Sequence, residues 1–132
     1  MMRLYLDSSA LVKLVSNEAQ SPALRSYLES YPSDTHFTSA LTRTELIRAA
    51  KRHGSVGAVA RARRVLTRLD LVALTTRLLD IAAVLPPAEL RSLDAIHLAA
   101  AQTAPDLRAL ITYDARMAYA ASQAGIVVGQ PV

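Results

Sequence analysis

The chain has 132 residues, 52% hydrophobic and 20% charged, which fits one domain with one core and excludes a disordered or fibrous chain. It has no Cys, which excludes disulfides, thiolate metal sites and a Cys nucleophile and suits a cytoplasmic protein. A net charge of +4 hints at an anionic partner; no apolar run approaches the ~18 residues of a membrane helix, and Asp7 cuts the first apolar stretch, so no secretory signal is expected.

Strands and helices are expected to alternate. Arg3 to Leu6 reads as a strand running into Asp7-Ser8-Ser9, a helix start. Ala10 to Val15 and Ala23 to Tyr31 read as helical, with Ser21 and Pro22 as cap and first position of the second. Pro32-Ser33-Asp34 is a turn, His36 to Ala40 the next strand, and Leu41 to His53 a helix. Arg48, Lys51, Arg52 and His53 crowd its last turns, and Gly54 stops it. Gly57 to Leu69 reads as a helix with Ala62, Val65, Leu66 and Leu69 on one face and Arg61, Arg64 and Arg68 on another. Leu71 to Leu74 is a short strand, and Thr75 or Thr76 caps a helix that Pro86-Pro87 ends after Leu85. Ser92 is expected to cap a helix running to Ala104, before Pro105. Ala109 to Thr112 is a strand, Asp114 to Ala124 a helix closed by Gly125, and Ile126 to Val128 the last strand.

Apolar strands without alternation, separated by helices, imply a parallel sheet covered on both faces. Right-handed crossovers then send every strand end to one edge, where ligands of open α/β sheets bind. Asp7 follows the first strand, Glu45 lies early in the helix after the second, and Asp114 follows the fourth. Asp94 starts a helix that must run back down the sheet, so it begins at the same edge. Each acid has a plainer reading. Asp7 serves as a cap, Thr42 and Glu45 match a capping box, and Asp94 and Asp114 complement helix dipoles. Together the plainer readings weaken, because four convergent carboxylates repel and raise one another's pKa. A divalent cation resolves the repulsion, and an all-oxygen set favours Mg²⁺ or Mn²⁺ over Zn²⁺.

The segments Tyr5 to Leu14 (YLDSSALVKL), Thr42 to Leu46 (TRTEL), Arg91 to Ala101 (RSLDAIHLAAA) and Ile111 to Asp114 (ITYD) carry a resemblance. They resemble those of PIN-domain ribonucleases, specifically VapC-type toxins of bacterial toxin–antitoxin pairs, in the family's order and over most of the chain. All four acidic positions of the family are occupied. The resemblance implies a single PIN-like domain over residues 1–132, a three-layer α/β/α sandwich around a parallel sheet. It implies metal-dependent hydrolysis of RNA phosphodiester bonds by the toxin of a type II toxin–antitoxin module. Asp7, Asp94 and Asp114, with Glu45 near by, would hold Mg²⁺ or Mn²⁺, and Glu45 would ligate the metal or orient or deprotonate the attacking water. Ser9 and Thr112 match hydroxyl positions that support the carboxylates. A homodimer and a VapB-type antitoxin partner are implied as well.

Of the 15 basic residues 13 are Arg, the better residue for phosphate. Setting the four edge acids aside leaves seven acids against them, an excess of eight positive charges that suits RNA. Arg43, Arg91 and Arg116, close in sequence to the acids, are candidates for contact with RNA or antitoxin; the Arg61, Arg64 and Arg68 stripe reads equally as a solvated face. His97, three residues after Asp94, either faces the site or sits in the core or on the surface. Tyr113 either stacks on a base or packs. Other readings are a housekeeping PIN nuclease in RNA processing, a non-catalytic RNA-binding module, and a Mg²⁺-dependent phosphatase. The phosphatase normally needs a second Asp where this chain has Ser9.

Overall fold

Five short strands hydrogen-bond in the order β3-β2-β1-β4-β5, and every neighbouring pair is parallel. The computed structural model describes residues 1–132. Along the chain lie β1 (Arg3–Leu6), α1 (Ser8–Val15), α2 (Ser21–Glu29), β2 (Thr35–Ser39), α3 (Leu41–His53) and α4 (Ala58–Thr67). There follow β3 (Asp70–Val72), α5 (Thr76–Ala83), α6 (Ser92–Ala101), β4 (Leu107–Ile111), α7 (Ala115–Gln123) and β5 (Val128–Gly129). Strand side chains alternate between two faces, and both faces are covered. Leu4, Leu6, Ala109 and Ile111 pack with Ala10, Leu11, Leu24, Leu46, Ala62 and Leu66 of α1 to α4. Tyr5, Phe37 and Leu110 point the other way, onto Leu98, Met117 and Ala121 of α6 and α7. Helix α5 joins that layer through Leu78 and Ala82 against Ala95 and Ala99. The expected α/β/α sandwich with a central parallel sheet is therefore observed. No helix is long and apolar enough to cross a membrane.

Several local expectations are corrected by tertiary contacts. Gln20, not Ser21, precedes α2; Ser21 Oγ instead donates to the Ser16 carbonyl and accepts from the Glu18 amide, tying down the α1–α2 turn. Ser92 lies inside α6, whose cap is Arg91 with no side-chain bond, and the helix ends at Ala101 rather than Ala104. The last strand is Val128–Gly129, not Ile126 to Val128, because its register is set by Leu110 and Ile111. Strand β3 is Asp70–Val72, two residues shorter at its end than the apolar run, for want of partners on β2 beyond Ser39. Arg61 is not part of a free basic stripe: its guanidinium donates to the carbonyls of Val15 and Val56 and to Ser55 Oγ.

The amino edge of the sheet is locked by charge. Arg108 of β4 donates to both oxygens of Asp34, whose Oδ1 also accepts from the Met2 amide, and the guanidinium lies 3.9 Å from the Tyr31 ring centroid. The Arg108 hydrogen bonds hold the Asp34 carboxyl below the ordinary carboxylate range. A depressed folded pKa adds stability above the unfolded value of ~4 and loses it as pH falls through the folded value. Asp34→Asn is therefore expected to melt below wild type at pH 7. The gap should narrow in thermal melts taken progressively below pH ~4.

Candidate active site

In an open parallel sheet the binding crevice forms where connections from neighbouring strands leave in opposite directions. That point lies between β1 and β4, since β1 connects onward to β2 on one side and β4 flanks it on the other. Asp7 follows β1, and Thr112, Tyr113 and Asp114 follow β4. Asp7 is 4% exposed and is the N-cap of α1. Its Oδ1 accepts from the Ala10 amide at 3.0 Å and from Ser9 Oγ at 2.6 Å, and its Oδ2 accepts from Thr112 Oγ1. Ser9 Oγ accepts from the Tyr113 amide at 2.9 Å, and Thr112 Oγ1 accepts from the Asp114 amide at 3.0 Å. Amides only donate, so each hydroxyl is left to give its own proton to Asp7. Burial pushes the Asp7 carboxyl above its ordinary range, while the two hydroxyl bonds pull it back.

Asp114 is the N-cap of α7, with Oδ1 accepting from the Arg116 amide at 2.8 Å and the Met117 amide at 3.4 Å. The cap readings of Asp7 and Asp114 thus hold, but each cap leaves acceptor capacity unused. Asp94 lies in the first turn of α6. Burial pushes its carboxyl up, and the charges of Asp114 and then Asp7 push it further. Asp7 follows β1, Asp114 caps α7 just after β4 and Asp94 opens α6, so the topology brings the three aspartates to one edge.

Glu45 does not form the expected capping box. Helix α3 is capped by Ala40 without a side-chain bond, and Thr42 turns inward to Thr38, Oγ1 to Oγ1 at 2.7 Å. Glu45 Oε1 instead meets His97 Nε2 at 2.7 Å. His97 is 3% exposed, so it is both a core residue and a neighbour of the acids. Its Nδ1 lies 2.6 Å from Tyr5 Oη, which accepts from the Ser39 amide at 3.2 Å. A carboxylate only accepts, so His97 gives its Nε2 proton to Glu45, and Nδ1 faces the Tyr5 hydroxyl.

These carboxylates suit a hard cation in their chemistry. Asp7 uses three of its roughly four lone-pair sites, leaving one on Oδ2. Asp114 keeps Oδ2, Glu45 keeps Oε2, and no backbone or hydroxyl donor engages Asp94. All are oxygen donors of the kind Mg²⁺ or Mn²⁺ takes. No three of the acidic and His side chains converge closely enough to hold an ion between them as they stand.

Arginines flank the acids on two sides. Arg91 and Arg116 line a cleft of about 400 Å³ together with Asp94 and Tyr119. Arg48 and Arg52 line another, of about 480 Å³, with Ser9 and Glu45. Arg43 sits apart, in a cleft with Ile47 and Arg63 between α3 and α4. Tyr113 packs: its hydroxyl donates to the Pro131 carbonyl and the Lys13 amino group lies 4.7 Å from its ring centroid. Arg48 and Arg52, expected only to crowd the end of α3, and Tyr119 line these clefts as well. Helical spacing was the available signal, since residues 45, 48 and 52 share a face of α3, as 116 and 119 do on α7.

The family described as PIN domain matches residues 4–122. Ribonuclease VapC46 of Mycobacterium tuberculosis is 48% identical over 132 residues, covering 99% of both chains. Ribonuclease VapC47 of the same species is 42% identical over 131 residues, covering 97% of this chain and 96% of the relative. The crystal structure of M. tuberculosis VapC20, a sarcin-ricin loop cleaving toxin, superposes with a TM-score of 0.73 at 21% identity, over 97% of this chain and 99% of that one. A toxin–antitoxin complex from Klebsiella pneumoniae superposes with a TM-score of 0.72 at 24% identity, over 98% of each chain. The fold and the acid-lined crevice define a PIN-domain protein. The chain belongs to the PIN-domain family and is closely related to the VapC ribonucleases of Mycobacterium.

Two outcomes are expected of the metal-free protein. Nitrogen-15 NMR should find the His97 proton on Nε2, and Tyr5→Phe should leave it there, because the Glu45 carboxylate still accepts from it. Asp94 has a raised folded pKa, so its penalty is absent below ~4 and grows as pH rises through the folded value. Asp94→Asn should therefore melt above wild type at pH 7 in EDTA, with no advantage near pH ~3.5.

Proposed function

We propose that the protein is a divalent-metal-dependent endoribonuclease and the toxin half of a type II toxin–antitoxin pair, hydrolysing phosphodiester bonds in cellular RNA. What supports this reading is Asp7, Asp94 and Asp114 at one sheet edge, with Glu45 lining a cleft beside Ser9, in a chain alignable end to end with VapC ribonucleases. The remaining acceptor sites of Asp7, Asp94, Asp114 and Glu45 would hold Mg²⁺ or Mn²⁺. Once bound, the ion supplies a water of lowered pKa and neutralises charge on the phosphoryl oxygens. Ser9 and Thr112 point their protons at Asp7 and so keep it an acceptor in a fixed orientation. Glu45, held by His97 through Oε1, has Oε2 to orient the attacking water or take its proton. The arginines of both flanking clefts offer guanidinium groups to the RNA backbone. The relatives' VapC names support a VapB-type antitoxin as partner, and the same resemblance supports a homodimer.

Cleavage of total cellular RNA is expected with Mg²⁺ or Mn²⁺ and not in EDTA. Asp7→Asn should reduce the rate by at least about 100-fold, the size of loss typical when one electrostatic element of an active site is removed. Expression in a bacterial host should arrest growth, and a matched antitoxin should restore it. Undiminished cleavage by verified metal-free protein would overturn the mechanism; harmless expression of active enzyme would overturn the toxin role.

A further inference from the structure

The cleft between the start of α6 and the first turns of α7 has a composition that backbone binding alone does not explain. It holds about 400 Å³ and is lined by Pro87, Glu89, Arg91, Asp94, Arg116 and Tyr119, among others. Asp94 places its inner end at the carboxylate edge. Tyr119 is 62% exposed, an aromatic ring left unpacked, and it stands one helical turn beyond Arg116 on the same face of α7. The other tyrosines are engaged: Tyr5 on His97, Tyr27 against Tyr31, Tyr113 under Lys13. The ion pairs of the protein are Arg3–Asp70, Lys13–Glu18 and Arg108–Asp34, so both guanidinium groups of the cleft are unpaired.

We infer that this cleft is a nucleotide subsite, seating one unstacked nucleotide of a single-stranded RNA with its base on the Tyr119 ring and a phosphate on Arg91 and Arg116. The inference rests on the nuclease reading and adds to it which part of the substrate is recognised and in what state. The cleft offers two guanidinium groups beside an exposed aromatic ring. It favours a ligand carrying both an anion and a flat aromatic face. A nucleotide has both, and base stacking on an aromatic side chain is a substantial, sequence-tolerant source of affinity. The volume lies near the small end of the range for ligand pockets and suits one nucleotide rather than a base pair. A base in a duplex is stacked and paired, so it enters such a cleft only by leaving the helix. Unpaired RNA enters without that cost.

The test is equilibrium binding of full-length protein in EDTA, read by fluorescence anisotropy, beside a Mg²⁺ cleavage assay on the same RNA. The probes are a labelled random-sequence single-stranded RNA of about ten nucleotides, a pool of equal length containing abasic units, and a duplex. Wild type should prefer the single strand. Tyr119→Ala should weaken single-strand binding by about 5–100-fold, while Tyr119→Phe stays near wild type. The Tyr119→Ala loss should shrink on the abasic pool, as coupled contacts require. Arg91→Ala and Arg116→Ala should each reduce the salt dependence of binding by about one counterion. Wild-type affinity in Tyr119→Ala, or an equal loss on abasic RNA and duplex, overturns the subsite. If Tyr119→Ala is unaffected while wild type cleaves, the nuclease reading survives and the subsite alone fails. A wild type that neither binds nor cleaves RNA overturns both.

Discussion

A buried carboxylate must find donors, and Asp7 finds them in three places: the Ala10 amide one turn on, the Ser9 hydroxyl, and the Thr112 hydroxyl across the sheet. An unpaired buried carboxylate would neutralise itself by shifting its pKa far upward. The hydroxyls oppose that shift because each is committed as a donor by an amide behind it, Tyr113 N–H to Ser9 and Asp114 N–H to Thr112. One carboxylate therefore fastens the end of β1 to the end of β4 at the crevice and positions the start of α7. Asp114, the cap of α7, is placed at the acid edge by the same bonds.

The other half of the site is fastened through the core. Tyr5 points to the α6 and α7 face of the sheet, edge-on to Phe37 with ring centroids 5.1 Å apart. Its hydroxyl is buried, and burial pushes its pKa strongly up, so it remains a neutral donor. The chain from the Ser39 amide through Tyr5 and His97 ends on Glu45. Every polar atom along it is satisfied, as is every buried side-chain polar atom of the protein. A side chain on α3 is in this way oriented by residues of β1, β2 and α6, and the acid comes to the crevice already supported.

Charge is distributed with the same economy. Arg108 and Arg61 are spent on structure, the first on Asp34 and the second on loop carbonyls. Arg48, Arg52, Arg91 and Arg116 line the two clefts beside the acids. The sequence shows 13 arginines of one kind. The fold separates those that hold the chain from those that line the clefts.

Much of this was legible in the sequence. The order of strands and helices follows from unbroken apolar runs, helix-start residues and stops such as Gly54, and parallel connectivity then dictates that Asp7, Asp94 and Asp114 meet at one edge. Element ends were less legible, because a strand stops where its neighbour stops; β4 starts at Leu107 because Arg3 pairs with it. The partners of the site residues were not legible at all. Thr112 and Asp7 are 105 residues apart, Tyr5 and His97 are 92 apart, and His97 and Glu45 are 52 apart. Local spacing offered Glu45 a capping box with Thr42, and the folded chain offered it His97 and gave Thr42 to Thr38 instead. The sequence by itself determined which chemical groups reach the crevice, since strand ends and helix starts are local features. Only the tertiary structure decided which hydrogen bond each group makes, because a buried polar atom takes whichever partner packing brings within about 3 Å.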